Sequence, residues 1–252
     1  MTQGKWPRFI PVSERRAKAE ERMEALREQG VTIQPERMTG PETAGSVWGR
    51  GWWRYVHSLP KIGKHLPRGQ IYARNGSIRH LEILPGQVRA LVAGTDVYEV
   101  IMRVLPVRGT VWQEIKDLCL GKIGSVQKIY QGDLPQEVVD KLLDAKRGLF
   151  PLPNEFSLQC ECSDKTPVCK HKAAVLYGIG SRLDKHPELL FKWRGVRARD
   201  LVTSWAQELR ERLGERKHVL SLDQAGDIFG IEWDEQMDIS ESGAKSGHGD
   251  QE

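Results

Sequence analysis

Phe156-Ser-Leu-Gln-Cys160-Glu-Cys162-Ser-Asp-Lys-Thr-Pro-Val-Cys169-Lys-His171-Lys-Ala-Ala-Val175 gathers three cysteines and a histidine within a dozen positions. Four soft-to-borderline ligands in so short a window point to zinc. Three thiolates and one imidazole close a tetrahedron around that ion and leave no position for a substrate water, so the site is structural. Two other readings compete: a structural disulfide and a catalytic Cys169/His171 dyad. Three clustered cysteines cannot all pair and nothing marks a secretory context, which weakens the first. The dyad would need an oxyanion hole and a cleft, for which there is no signature.

The spacing has a local logic. Phe156 to Cys160 alternates as a short strand, so Cys160 and Cys162 project from the same side of it. Ser163 to Pro167 has turn composition, and Ala173, Ala174, Val175 and Leu176 favour a helix. The second ligand pair, Cys169 and His171, therefore sits at that helix's first turn.

This Cys-x-Cys-x6-Cys-x-His pattern, with a strand before it and Lys-Ala-Ala-Val-Leu-Tyr177 after it, resembles a SWIM zinc finger. The continuation from Gly178 to Val196 and the earlier stretch Pro67-Arg-Gly-Gln-Ile-Tyr-Ala-Arg-Asn-Gly-Ser77 are similar to the bacterial SWIM proteins in particular. The resemblance runs from about Val47 to Ile231 and is weakest in the N-terminal arm. It implies one structural zinc on Cys160, Cys162, Cys169 and His171, an association with DNA binding and protein interaction, and a Swi/Snf-type helicase-like ATPase as partner.

The 252-residue chain has a net charge of +4, which is unevenly placed. Residues 232–252 hold seven acids against Lys245, a net of −6, leaving the preceding chain at +10. A basic body with an acidic tail suits a partner of nucleic acid. From Thr43 through Leu81 there is no Asp or Glu, while Arg50, Arg54, Lys61, Lys64, Arg68, Arg74 and Arg79 appear, with His57, His65 and His80 among them. Together with Trp53 and Tyr72 they offer phosphate contacts and base stacking, and Lys165, Lys170 and Lys172 add charge beside the finger. The bland reading is a basic face balanced by acids from elsewhere in the fold.

Earlier in the chain, Glu14 to Glu28 reads as a helix, capped by Ser13 and stopped by Gly30. Its apolar stripe of Ala19, Met23 and Leu26 is thin. It is taken as a solvated helix making one weak contact, over the other reading of an arm that reaches nucleic acid. Val31 to Gly45 reads as a linker, and Ser46 to Leu59 as an aromatic-faced helix built on Trp48, Trp52 and Val56. Four strand-like runs follow: 70–74, 77–84, 87–93 and 96–105, with Asn75-Gly76, Pro85-Gly86 and Gly94-Thr95 as turns. In that register Arg74 shares a face with Tyr72, and one side of the sheet is wet and basic. Helical stripes follow at Val111 to Cys119, Ile123 to Tyr130 and Leu134 to Leu143, with Cys119 read as a buried small hydrophobe.

The expected fold is thus α+β: an antiparallel β-meander packed with helices, then a small ββα finger of the SWIM type and C-terminal helices. The expected organisation is a helical arm and linker (1–45), a basic meander with helices (46–150), the finger (151–196), a C-terminal helical segment (197–231) and an acidic disordered tail (232–252).

No apolar run reaches ~18 residues and no leader precedes the body, so a soluble, cytoplasmic protein is expected. Gly121-Lys122-Ile123 lacks the hydroxyl and the preceding strand of a phosphate-binding loop. Neither His-Glu-x-x-His nor Gly-x-Ser-x-Gly occurs, and Glu114-Ile115-Lys116 has no partner carboxylate. The chain is therefore expected to be no enzyme, with no small-molecule substrate and no membrane. It reads as a zinc-stabilised accessory protein that binds nucleic acid, DNA rather than RNA. The rival is an adaptor that grips a protein while its basic patch is incidental.

Overall fold

The computed structural model describes residues 11–40, 45–60, 62–164 and 166–202. Among them are helices α1 (Val12–Glu28), α2 (Val47–Ser58), α3 (Leu66–Arg74), α4 (Gly109–Cys119), α5 (Val126–Gln131), α6 (Gln136–Leu142), α7 (Lys170–Lys185) and α8 (Glu188–Trp193). The strands are β1 (Ile78–Leu84), β2 (Gln87–Ala93), β3 (Val97–Val104) and β4 (Phe156–Cys160). The C-terminal helical segment beyond residue 202 and the acidic tail lie outside the described residues, as do Lys61 and Lys165.

β1, β2 and β3 form an antiparallel meander. Leu84 pairs with Gln87 across the Pro85-Gly86 turn, where Gly86 takes φ +71°, a conformation that favours glycine. β4 adds to the far edge, antiparallel to β3, with Val104 opposite Phe156 and Val100 opposite Cys160, giving the order β1-β2-β3-β4. The expected strand at 70–74 is instead the second half of α3. Pro67 lies in that helix's first turn, and Leu66, Gly69 and Ala73 supply a buried stripe at helical spacing. Asn75 caps its end and Gly76 follows with φ +69°. An Asn-Gly pair suits this C-terminal position as well as a hairpin turn, because both want a left-handed residue. On a helix, residues 72 and 74 lie about 200° apart, so Tyr72 and Arg74 face different ways.

α7 is the axle of the fold. Leu176, Ile179 and Leu183 are fully buried, each worth about 1.5–3 kcal/mol, and α7 packs against all four strands while α2 and α3 cover it from the other side. Close approach depends on small residues. A Cβ on Gly69 of α3 would stand 2.4 Å from Cβ of Ala173, and one on Gly180 of α7 would stand 2.7 Å from the Trp53 ring. The tryptophans of α2 are core. Trp52 Nε1 donates to the Leu176 carbonyl at 2.8 Å, Trp48 Nε1 donates to the Ile129 carbonyl at 3.1 Å, and Trp53 packs on Tyr177 with centroids 4.7 Å apart. Trp53 is therefore withdrawn from any base-stacking role. Cys119 is buried beside Val111 and Ile115, and burial pushes its thiol up to about 11.

α1 lies against β2 and β3, using Ala19 and Met23, both buried. It starts at Val12 after Pro11, one residue before the expected Ser13 cap. Residues 34–38, expected within a linker, run beside β1. Glu36 N donates to the Ile78 carbonyl and Leu81 N to the Gln34 carbonyl. The buried Glu36 carboxylate accepts from Arg182 Nε at 2.6 Å, Ser181 Oγ at 2.8 Å and Lys185 Nζ at 2.9 Å. Burial alone would raise its pKa, but these donors outweigh it and hold the group below the ordinary carboxylate range. The wet, basic face expected on β1 is absent. His80 is buried and accepts from Gln34 N at 3.1 Å, Arg79 pairs with Glu20 of α1, and the register shifts between Ile78 and His80.

Candidate metal centre

Cys160 ends β4 and Cys162 stands two residues on. Cys169 is the N-cap of α7, and His171 lies in that helix's first turn. The sheet edge and the helix start thus present two donors each. Sγ of the three cysteines and a ring nitrogen of His171 all lie within 4.8 Å of one another, positioned to hold one metal ion. Cys160 Sγ is 3.8 Å from His171 Nδ1. A tetrahedral ion with a ~2.3 Å metal–sulfur and a ~2.05 Å metal–nitrogen bond has an S···N edge of about 3.6 Å, close to this separation.

The electrostatics suit a cation. Cys169 accepts from Lys172 N at 3.5 Å at the positive end of α7. The contact from Cys160 pushes the Cys169 thiol down to about 3, helped by His171 and the Lys172 N–H, while the same contact and burial push Cys160 up. Without a cation, the pair favours a thiolate on Cys169 and a thiol on Cys160. Deprotonating Cys160 beside that thiolate needs a positive ion between them.

Aromatic rings fix His171 around this geometry. Its ring stacks on Tyr98 at 4.5 Å between centroids and meets Tyr72 edge-on at 5.5 Å. With Nδ1 bound to an ion, the ring proton would sit on Nε2, which is buried with no hydrogen-bond partner among the described residues. It faces Gly94, where a Cβ would come within 2.7 Å of Nε2. Gly94 and Tyr98 carry no local mark of this role. Gly94 reads as a turn residue, and Tyr98 as one more alternating strand position.

The basic residues fall into separate groups. Arg68 and Arg74 lie exposed on α3 with Ile71 between them at three-residue steps, and Lys64 is exposed in the 3-10 turn just before. Tyr72, half-buried, turns from this face toward the metal centre, and Lys170 Nζ sits 5.5 Å from its ring centroid. Lys172 Nζ donates to the Pro167 carbonyl at 3.1 Å. Arg50 and Arg54 are exposed one turn apart on α2, and Arg50 also donates to the Gly45 carbonyl. Arg79 is neutralised by Glu20. Asp164 tempers the field. Hydrogen bonds from Thr166, with the charges of His65 and Lys170, hold its carboxyl below the usual range.

Over 171 residues the chain is 31% identical to an uncharacterized protein of Mycobacterium tuberculosis, Rv2102, a match spanning 65% of this chain and 61% of that protein's length. No protein-family profile matches the chain, and no solved structure does. No helix among the described residues is long and apolar enough to cross a membrane.

Proposed function

We propose that the ion is zinc, that the centre is a SWIM-type finger, and that the protein is a non-enzymatic accessory factor that binds DNA in concert with a Swi/Snf-type helicase-like ATPase. One observation carries the reading. Two of the four metal ligands and the basic residues nearest them are built on one pair of packed helices, with Cys169, Lys170 and His171 at the start of α7 and Arg68, Tyr72 and Arg74 on α3. Three sulfurs and an imidazole select zinc among common divalent ions and leave it no open position, which supports a role in holding shape rather than in catalysis. The metal thus fixes α7 against β4 and, through Tyr72, fixes the basic face of α3.

Titration of a labelled DNA with the full-length, metal-loaded protein at several salt concentrations tests this reading. Direct binding gives a log-affinity that falls steeply with log-salt, and Arg68→Ala with Arg74→Ala makes the slope shallower by about one to two. Binding that is absent or insensitive to salt overturns the reading and favours the adaptor, which would grip a protein without touching nucleic acid.

A further inference from the structure

A cleft of about 280 Å³ opens between α1, α3 and the turn joining β2 to β3, on the far side of Tyr72 and Gly94 from the metal ligands. Arg15, Arg16 and Arg79 enter it, Ile71 and Tyr72 form its apolar wall, and no acidic side chain is among the described residues that line it. Glu20 answers Arg79, whereas Arg15 and Arg16 meet no acid among the described residues. Arg15 Nε is closed off from solvent and has no hydrogen-bond partner there. A half-buried arginine whose Nε is unpartnered, beside a second, exposed arginine, suits a doubly accepting oxyanion such as phosphate. The neighbouring wall is of a different kind. Ile71 is 56% exposed, large for an isoleucine, and Tyr72 offers a ring on which a planar group can lie.

The volume falls just short of the ~300–1,000 Å³ typical of small-ligand sites, room for part or all of one nucleotide and too little for a duplex. The cleft is also continuous with a longer surface. Ile71 belongs both to its wall and to the face of α3 that carries Arg68 and Arg74, so a chain leaving the cleft would pass along those two charges.

We propose that this cleft binds one nucleotide of a single-stranded nucleic acid, its phosphate held by Arg15 and Arg16 and its base laid against Ile71 and Tyr72. The inference rests on the nucleic-acid reading above and adds to it a site and a strand state. Free nucleotides share the recognised chemistry. The strand is assigned because the arginines continue beyond the cleft along α3.

The test compares a labelled oligodeoxynucleotide single strand with its duplex, using the full-length metal-loaded protein and its Arg15→Gln/Arg16→Gln variant, with metal content checked in both. Expected is a loss of about tenfold or more in single-strand affinity, a log–log salt slope shallower by about one, and less than threefold change for the duplex. Photo-crosslinking of a strand carrying 5-iododeoxyuridine should also mark the peptide containing Ile71 and Tyr72. Unchanged single-strand affinity in the variant, with crosslinks only elsewhere, overturns the cleft but leaves nucleic-acid binding standing. Absence of binding to either DNA removes both, and binding of dAMP without binding of the strand rejects the strand assignment.

Discussion

His171 reaches the sulfurs through Nδ1 only because nothing grows from Gly94 into the space behind its ring. Gly94→Ala puts a methyl 2.7 Å from Nε2, and a ring clamped between Tyr98 and the metal cannot easily retreat. Zinc affinity should fall 10–100-fold, the usual penalty for disturbing what orients a metal-bound histidine, as read by competition with a chromogenic chelator. Cys162→Ser is harsher. Zinc in such knuckles contributes on the order of 10–16 kcal/mol of apparent binding energy, so this variant should purify with little metal and be cut by protease between 160 and 171. A variant that keeps one zinc per chain would show that Cys162 is no ligand. His80 sets a separate, acid-side limit. Burial holds it below the ordinary imidazole range, with the charges of Arg182 and Arg89 adding to this and Glu82 opposing. The unfolded chain takes up a proton near pH 6.5 that the folded chain refuses, so stability drops as pH falls through ~6.5 and levels below the folded value. The stability difference between wild type and His80→Gln should therefore shrink from pH 7.5 to 5.5, and the metal's own acid response cancels in that difference. A constant difference would mean that His80 does not titrate there.

Among the elements, α3 shows where local signals run out. Gln70 to Arg74 alternates well enough for a strand, and only the buried trio Leu66, Gly69 and Ala73, which depends on α7 being alongside, makes it a helix. The ligand set and strands β1 to β3 are legible because spacing and alternation are local properties. The pairing of β4 with β3 joins positions some fifty residues apart, and that leaves no mark on either strand's pattern. The aromatic cradle of His171 and the cleft beside it are hidden for the same reason, each being assembled from three or more distant segments. Gly69→Ala tests the α3–α7 contact. Its Cβ would stand 2.4 Å from Cβ of Ala173 and 2.7 Å from that residue's backbone carbon, so the helices must part. An overpacking cost of about 1–3 kcal/mol is expected in denaturant titration, and an unchanged midpoint would show that the contact has slack. Residues 34–38 are tied in by the buried Glu36 carboxylate and by Arg37, whose Nε donates to the Arg74 carbonyl at 2.8 Å. Glu36→Gln leaves Arg182 poorly compensated in a largely buried setting and should cost about 3–5 kcal/mol, read as a lower midpoint at constant slope.

At the scale of the molecule, charge and metal are coupled by construction. α7 touches every strand of the sheet and the helices α2 and α3 that carry Arg50, Arg54, Arg68 and Arg74, so whatever fixes its first turn bears on the placement of those four charges. If the proposed function holds, stripping the metal should therefore weaken DNA binding. A chelated protein that binds DNA as tightly as the loaded one would separate the two. The hydrogen bonds that β4 makes to β3 carry a practical corollary. A fragment cut to residues 151–196 would keep all four ligands yet leave Phe156 to Cys160 as a bare ribbon, its partner strand discarded. Such a cassette is a poor candidate for grafting into another protein, since an orphaned edge tends to find a mate in a second copy of itself.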